Sequence, residues 1–175
     1  MFIKNKQISV VTALAVLLVS INLAIVPIKS YAQSIMVEEV GAEFNEEVNC
    51  LAQNIYYEAA KEPYEGKLAV AQVTLNRVNS GKFAGTVCGV VKQKDKINGV
   101  MICQFSWFCN QAYMHIIRNQ YQWEESVIAA KKALTEPVAH DGIYRSGAMY
   151  YHANYINPGW KLTKVAQIGN HIFYR

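Results

Sequence analysis

The stretch LAQNIYYEAAKEP, residues 51–63, holds an acid where the pattern asks for none. Val48, Leu51, Ala52, Ile55 and Ala59 recur at the three- and four-residue spacing of one helical stripe, and Glu58 falls on or beside it. A carboxylate among apolar neighbours loses hydration, so its protonated form is favoured. Pro63 stops the helix within a turn, so the negative end of the helix dipole acts in the same direction. A carboxylic acid that keeps its proton near neutral pH is what a general acid must be, and protonation of a glycosidic oxygen is the chemistry it most often serves. The pattern also fits a core-edge glutamate bonded to backbone or to an arginine. Of the neighbouring acids, Glu62 is expected to turn outward at the Pro63 break. Glu65 is expected in the first turn of the next helix, where a carboxylate is simply stabilising.

His152 and His171 lie in the Tyr/Asn-rich stretches YYHANY and GNHIFYR. No HExxH motif or compact His/Asp pair accompanies them, so they read as packed or hydrogen-bonded histidines that shape loops. Tyr150, Tyr151, Trp107 and Trp160 suit stacking on sugar rings if they line a cleft, and suit a core otherwise. There is no GxSxG motif and no glycine loop for phosphate. No cofactor and no metal is expected.

Positive charge at Lys4 and Lys6, an apolar run from Ile8 to Val26, and Ser30-Tyr31-Ala32 read together as a signal peptide over residues 1–32. A retained anchor is the alternative, and either would send the remainder out of the cytoplasm to the periplasm, envelope or exterior. The four cysteines, Cys50, Cys88, Cys103 and Cys109, then read as disulfides, with three possible pairings. Cys103 and Cys109 flank a short segment that can fold back, which leaves Cys50 with Cys88. A zinc site would be supported by CxxC pairs, and these are absent. The net charge of +4 is unevenly spread: five glutamates and no base fall within residues 33–50, and the rest is mildly basic. That balance suits an anionic polymer such as a cell wall, or an ordinary solvated surface. Nothing resembles a nucleic-acid patch.

The elements that must position Glu58 follow from periodicity. Residues 33–43, acidic and aperiodic, read as a linker, and residues 44–175 as one domain. A helix is expected from Asn45 as N-cap to Pro63, and a second, buried on nearly all sides, through EGKLAVAQVTLNRVNSG, with Gly81 as its stop. TVCGVVKQ reads as a short helix capped by Thr86, and KQKDKING as a loop. VMICQFSWFC, residues 100–109, reads as an extended segment or hairpin, and WEESVIAAKKALTEP as an amphipathic helix. The remainder reads as loops and short strands.

In order and at sensible spacing, CLAQNIYYEAAKEPYEGKLAVAQVTLNRVNSGKF, TVCGVV, CQFSWFC, MYYHANYINPGW and IGNHIFYR resemble the SleB/CwlJ-type cell wall hydrolase family, over about residues 48–175. The resemblance implies a mostly helical α+β, lysozyme-like (lytic transglycosylase-like) single domain. It implies lytic transglycosylation of peptidoglycan, cutting the β-1,4 bond between N-acetylmuramic acid and N-acetylglucosamine, with Glu58 as the catalytic acid and glycan strands as the partner. Gln104, Ser106, Tyr151 and His152 are implied as sugar-holding residues by their places in the matching motifs. A monomer is expected, and membrane contact only if the leader is retained. Amidase activity and a non-catalytic wall-binding module are the alternatives. The chain departs from the family pattern after Glu58, where EARGE is expected and EAAKE stands, and after Cys109, where Asp-Gly is expected and Asn110-Gln111 stands.

Overall fold

The computed structural model describes residues 28–110, 112, 116–136 and 143–175. The apolar run Ile8–Val26 lies outside them; among the described residues no helix is long and apolar enough to cross a membrane. The chain divides into two units, Met1–Ala42 and Glu43–Arg175.

Helix α1 spans Ile28–Ala59. The stretch read as a linker is therefore helical, and Asn45 is an interior residue rather than an N-cap. Glu, Ala, Met and Val sustain a helix there without a proline to stop it, although residues 36–46 bury nothing. Burial begins at Val48 and continues through Leu51, Ala52, Ile55 and Ala59, the expected stripe. Helix α2, Tyr64–Asn79, starts directly after Pro63 and is buried from Gly66 to Thr74. It is the central element. Leu68 and Ala71 face α1, the short α3 (Val87–Val91) and α5 (Gln120–Thr135) in one cluster. Ala69 and Val73 face Ile143, Ala148 and Phe173 in another. Leu51, Ile55, Val70, Val73 and Phe173 are wholly buried, each contributing about 1.5–3 kcal/mol. Thr86 caps α3 as expected, accepting from Gly89 N at 3.0 Å.

KQKDKING is not a loop. Strands β1 (Lys94–Ile97) and β2 (Val100–Cys103) form an antiparallel hairpin with Ile97 opposite Val100. Asn98 and Gly99 both take positive φ, 50° and 85°, the pattern of a two-residue type I′ turn. The segment 100–109 accordingly splits into β2 and a one-turn helix α4, Ser106–Cys109. Disulfides join Cys103 to Cys109 across that turn and Cys50 to Cys88 between α1 and α3. Helix α6 (Ile143–Ser146) leads to a three-stranded antiparallel sheet in the order β3-β5-β4, formed by Tyr150–Ala153, His171–Tyr174 and Lys164–Ile168. His152 and His171 thus lie on strands rather than in loops.

Candidate active site

A buried polar lock fixes the floor of the site. Asn54 is fully buried on α1. Its amide donates to Thr74 Oγ1 on α2 at 3.2 Å and accepts from Trp107 Nε1 on α4 at 3.1 Å. Both ends of the amide are used, so α1, α2 and α4 hold one register. One turn on, Tyr57 stacks on Trp107 with ring centroids 4.5 Å apart. The Tyr56 hydroxyl accepts from the backbone N–H groups of Arg118 and Asn119 at 2.9 and 3.1 Å, pinning the entry to α5.

Glu58 follows these residues, partly buried, where three adjoining clefts meet. The first, with a cavity volume ≈ 370 Å³, is lined by Tyr56, Ala60, Lys61, Asn170 and His171 among others. The second, ≈ 270 Å³, holds Tyr57, Ser106, Trp107 and Asn110. The third, ≈ 300 Å³, holds Arg77, Gln104, Ser106, Tyr150, Tyr151 and Trp160. Burial raises the Glu58 carboxyl above its ordinary value; a hydrogen bond from the Tyr151 hydroxyl to Oε2 at 3.2 Å and the charge of Arg77 pull it back. Burial and the neighbouring carboxyl push the Tyr151 hydroxyl well up, so it stays a donor.

Of the residues expected to hold sugar, Gln104, Ser106 and Tyr151 line clefts with Glu58. His152 does not join them. Alternation along β3 puts Tyr151 on the face shared with His171 and Phe173 and His152 on the other. There its ring stacks on Tyr174, bonds the Tyr174 hydroxyl at 2.9 Å, and meets the edge of Trp160.

Glu62 is buried rather than turned outward. Its Oε2 accepts from Asn170 N at 2.7 Å and its Oε1 from Asn170 Nδ2 at 3.1 Å, clamping the β4–β5 turn onto the end of α1. Pro63 ends the helix without freeing the side chain, because the turn offers two donors. Gly169, at φ +55°, permits the approach: a Cβ there would overlap the Glu62 carboxylate. Glu65 is exposed in the first turn of α2, as expected.

Sequence reasoning missed Arg77. It is 4 % exposed, its Nε donates to Met149 O at 2.8 Å, and its guanidinium lies 5.2, 5.1 and 5.9 Å from the rings of Phe83, Phe105 and Tyr150. Its position three residues before the Ser80-Gly81 stop reads as an ordinary helix-terminal base, which hid it. Ala60, standing where an arginine was expected, lines the first cleft without a charge. Asn110 lines the second, and Gln111 lies outside the described residues. Among the described residues, one metal-ligand cluster forms, Glu46 with Cys50 and Cys88, and those two sulfurs are joined to each other.

The Cell Wall Hydrolase family model matches residues 61–174, beginning three positions after Glu58. The chain is 31 % identical over 129 residues to a spore cortex-lytic enzyme of Oceanobacillus iheyensis, covering 73 % of this chain and 41 % of the relative. It is 42 % identical over 66 residues to that of Bacillus subtilis, covering 37 % of this chain and 22 % of the relative. The chain therefore spans less than half the length of these curated relatives. Its fold is similar to the catalytic domain of the Bacillus cereus SleB protein (TM-score 0.52, 25 % identity, 75 % of this chain and 91 % of that one). It is similar also to the catalytic domain of the germination-specific lytic transglycosylase SleB from Bacillus anthracis (0.54, 26 %, 74 % and 93 %). The mostly helical α+β, lysozyme-like architecture expected from the sequence is the one found.

Proposed function

The chain belongs to the cell wall hydrolase family, and from that premise we propose that it is a peptidoglycan lytic transglycosylase with Glu58 as its single acid and base. One observation carries the reading. Glu58 is the carboxyl with raised proton affinity at the junction of the clefts, whereas both oxygens of Glu62, the other acid lining them among the described residues, are occupied by Asn170. Hydrolysing glycosidases normally employ two working carboxyls. Lytic transglycosylation employs one. The Glu58 carboxyl gives its proton to the glycosidic oxygen as the bond to the anomeric carbon breaks. The resulting carboxylate then takes the proton of the muramyl 6-hydroxyl as that oxygen closes an anhydro ring. Tyr151 orients Glu58, while Gln104, Ser106 and the rings of Tyr57 and Trp160 hold sugar; His152 supports Trp160 from behind. The two disulfides support export to the periplasm or envelope, and residues 1–32 would supply the signal. The partner is a glycan strand.

The test is digestion of purified sacculi by the protein and its Glu58→Gln variant, with mass spectrometry of the soluble products. Muropeptides lacking one water, reduced about 10²–10⁴-fold by the substitution, are expected. Reducing-end products would overturn the mechanism. Free stem peptides would make the protein an amidase, and binding without release a wall-binding module.

A further inference from the structure

Arg77 carries more charge than its packing requires. Its contact with Met149 O fixes the chain just before β3, and a neutral amide can make that contact. The guanidinium instead sits 4 % exposed, with Nη1 buried and without a hydrogen-bond partner. Among the described residues it joins no ion pair. Three aromatic faces offset part of the lost hydration, yet a buried cation without a counter-ion is costly and calls for a reason. The third cleft supplies one, since Arg77 and Glu58 line it together.

We propose that Arg77 is a positioning residue for the reaction at Glu58: its unpaired charge favours the carboxylate that forms when the proton leaves. The inference rests on the reading of Glu58 as the acid. While Glu58 holds its proton, Arg77 has no counter-ion among the described residues. When the proton passes to the glycosidic oxygen and the bond to the anomeric carbon breaks, Glu58 becomes the missing anion. The interaction is stronger after proton transfer than before it, which is the condition for lowering a barrier rather than merely binding substrate. The charge also limits how far burial raises the acid, and Coulombic coupling between the two residues acts in that direction.

Other titratable groups face Glu58 as well. Tyr56 and Tyr57 come from its own helix, and Lys61 and Glu62 from the turn that follows. Tyr150 and Tyr151 come from β3, Tyr155 from the segment after it, and His171 from β5. Lys61 is exposed to solvent, Glu62 is held by Asn170, and burial holds His171 below the usual imidazole range. Arg77 is the buried cation of the group.

The experiment compares Arg77→Gln, which keeps a donor and loses the charge, with Arg77→Lys, which keeps the charge. Two readouts are used: the pH profile of kcat on sacculi, and the titration of the Glu58 carboxyl carbon followed by NMR without substrate. Arg77→Gln is expected to lower kcat by about 10-fold, and to move both the alkaline limb and the carboxyl titration to higher pH. Arg77→Lys is expected to keep both near wild type, while thermal melting checks that each variant is folded. A loss of activity in Arg77→Gln with no displacement of the titration would overturn the proposal, as would an equal displacement in Arg77→Lys. The NMR titration needs no turnover, so it separates this proposal from the reading of the reaction. If wild type releases no anhydro products, that reading fails whatever the titration shows.

Discussion

The hydroxyl of Tyr151 donates to Oε2 of Glu58 at 3.2 Å, across 93 positions of sequence. The bond favours the charged form of an acid that burial favours in the neutral form. Tyr151→Phe should therefore raise the proton affinity of Glu58. A weaker acid gives a lower plateau, by about 10-fold for the ~1.5 kcal/mol at the low end of hydrogen bonds to a charged group. Protonated Glu58 then persists to higher pH, so the alkaline limb of the rate profile moves up. The Phe ring keeps the packing on His171 and Phe173, and kinetics across the pH range on folded protein reads out both effects.

Glu58 also links stability to pH. Its folded-state affinity for a proton is raised above the ordinary value of 4.5. The stabilisation this brings is full at pH below the unfolded value and is lost as pH rises through the folded one. At pH above the unfolded value the folded chain therefore carries a cost for keeping this acid in place. Glu58→Gln should accordingly melt at a higher temperature than wild type at neutral pH, with the gap closing in acid. Melting curves at the two pH values check it, and a gap that widens in acid would contradict the buried-acid assignment.

Gly169→Ala should lower stability by about 1–3 kcal/mol. The residue is at φ +55° and the new methyl would overlap the Glu62 carboxylate, displacing the clamp on Asn170. Urea unfolding gives the energy. Loss of activity beyond the unfolded fraction would show that the turn also holds His171 and the first cleft in shape.

The disulfides should differ in weight. Cys50–Cys88 closes a separation of 38 residues, about 4 kcal/mol by loop entropy. Cys103–Cys109 closes 6, about 2 kcal/mol. Paired Ala variants and urea unfolding test the order. Removing the second bridge should cost activity more than stability, because Gln104 and Ser106 lie inside its loop. Intact oxidised protein should not react with a thiol reagent.

Local chemistry was legible where one segment decides the outcome. The apolar stripe of α1, the Pro63 break, the Thr86 cap and the burial of α2 all follow from residues close in sequence. The β1–β2 hairpin was also legible, and was missed: Asn98-Gly99 is the strongest short hairpin signal, masked by the alternating lysines around it. The helical reach of α1 back to Ile28 was not legible from hydrophobic pattern, because residues 36–46 bury nothing. Glu62 was misjudged and Arg77 was missed for one shared reason. Each is buried by a partner more than 70 positions away, Asn170 and Met149, and periodicity contains no such information. His152 was set with Tyr151 by its place in the matching motif, although neighbours on a strand face opposite ways.

The clamp between Glu62 and Asn170 spans 108 positions, and with the bond from Tyr151 to Glu58 across 93 it makes the surroundings of the acid a product of long-range closure. Glu58 is carried on α1, but both contacts that shape its surroundings reside on β3 and the β4–β5 turn. Long-range closure of this kind is slow. A chain in which α1 has formed but the sheet has not docked therefore holds Glu58 without its setting. The raised proton affinity of Glu58 is thus a property of the closed fold and not of the helix that carries it.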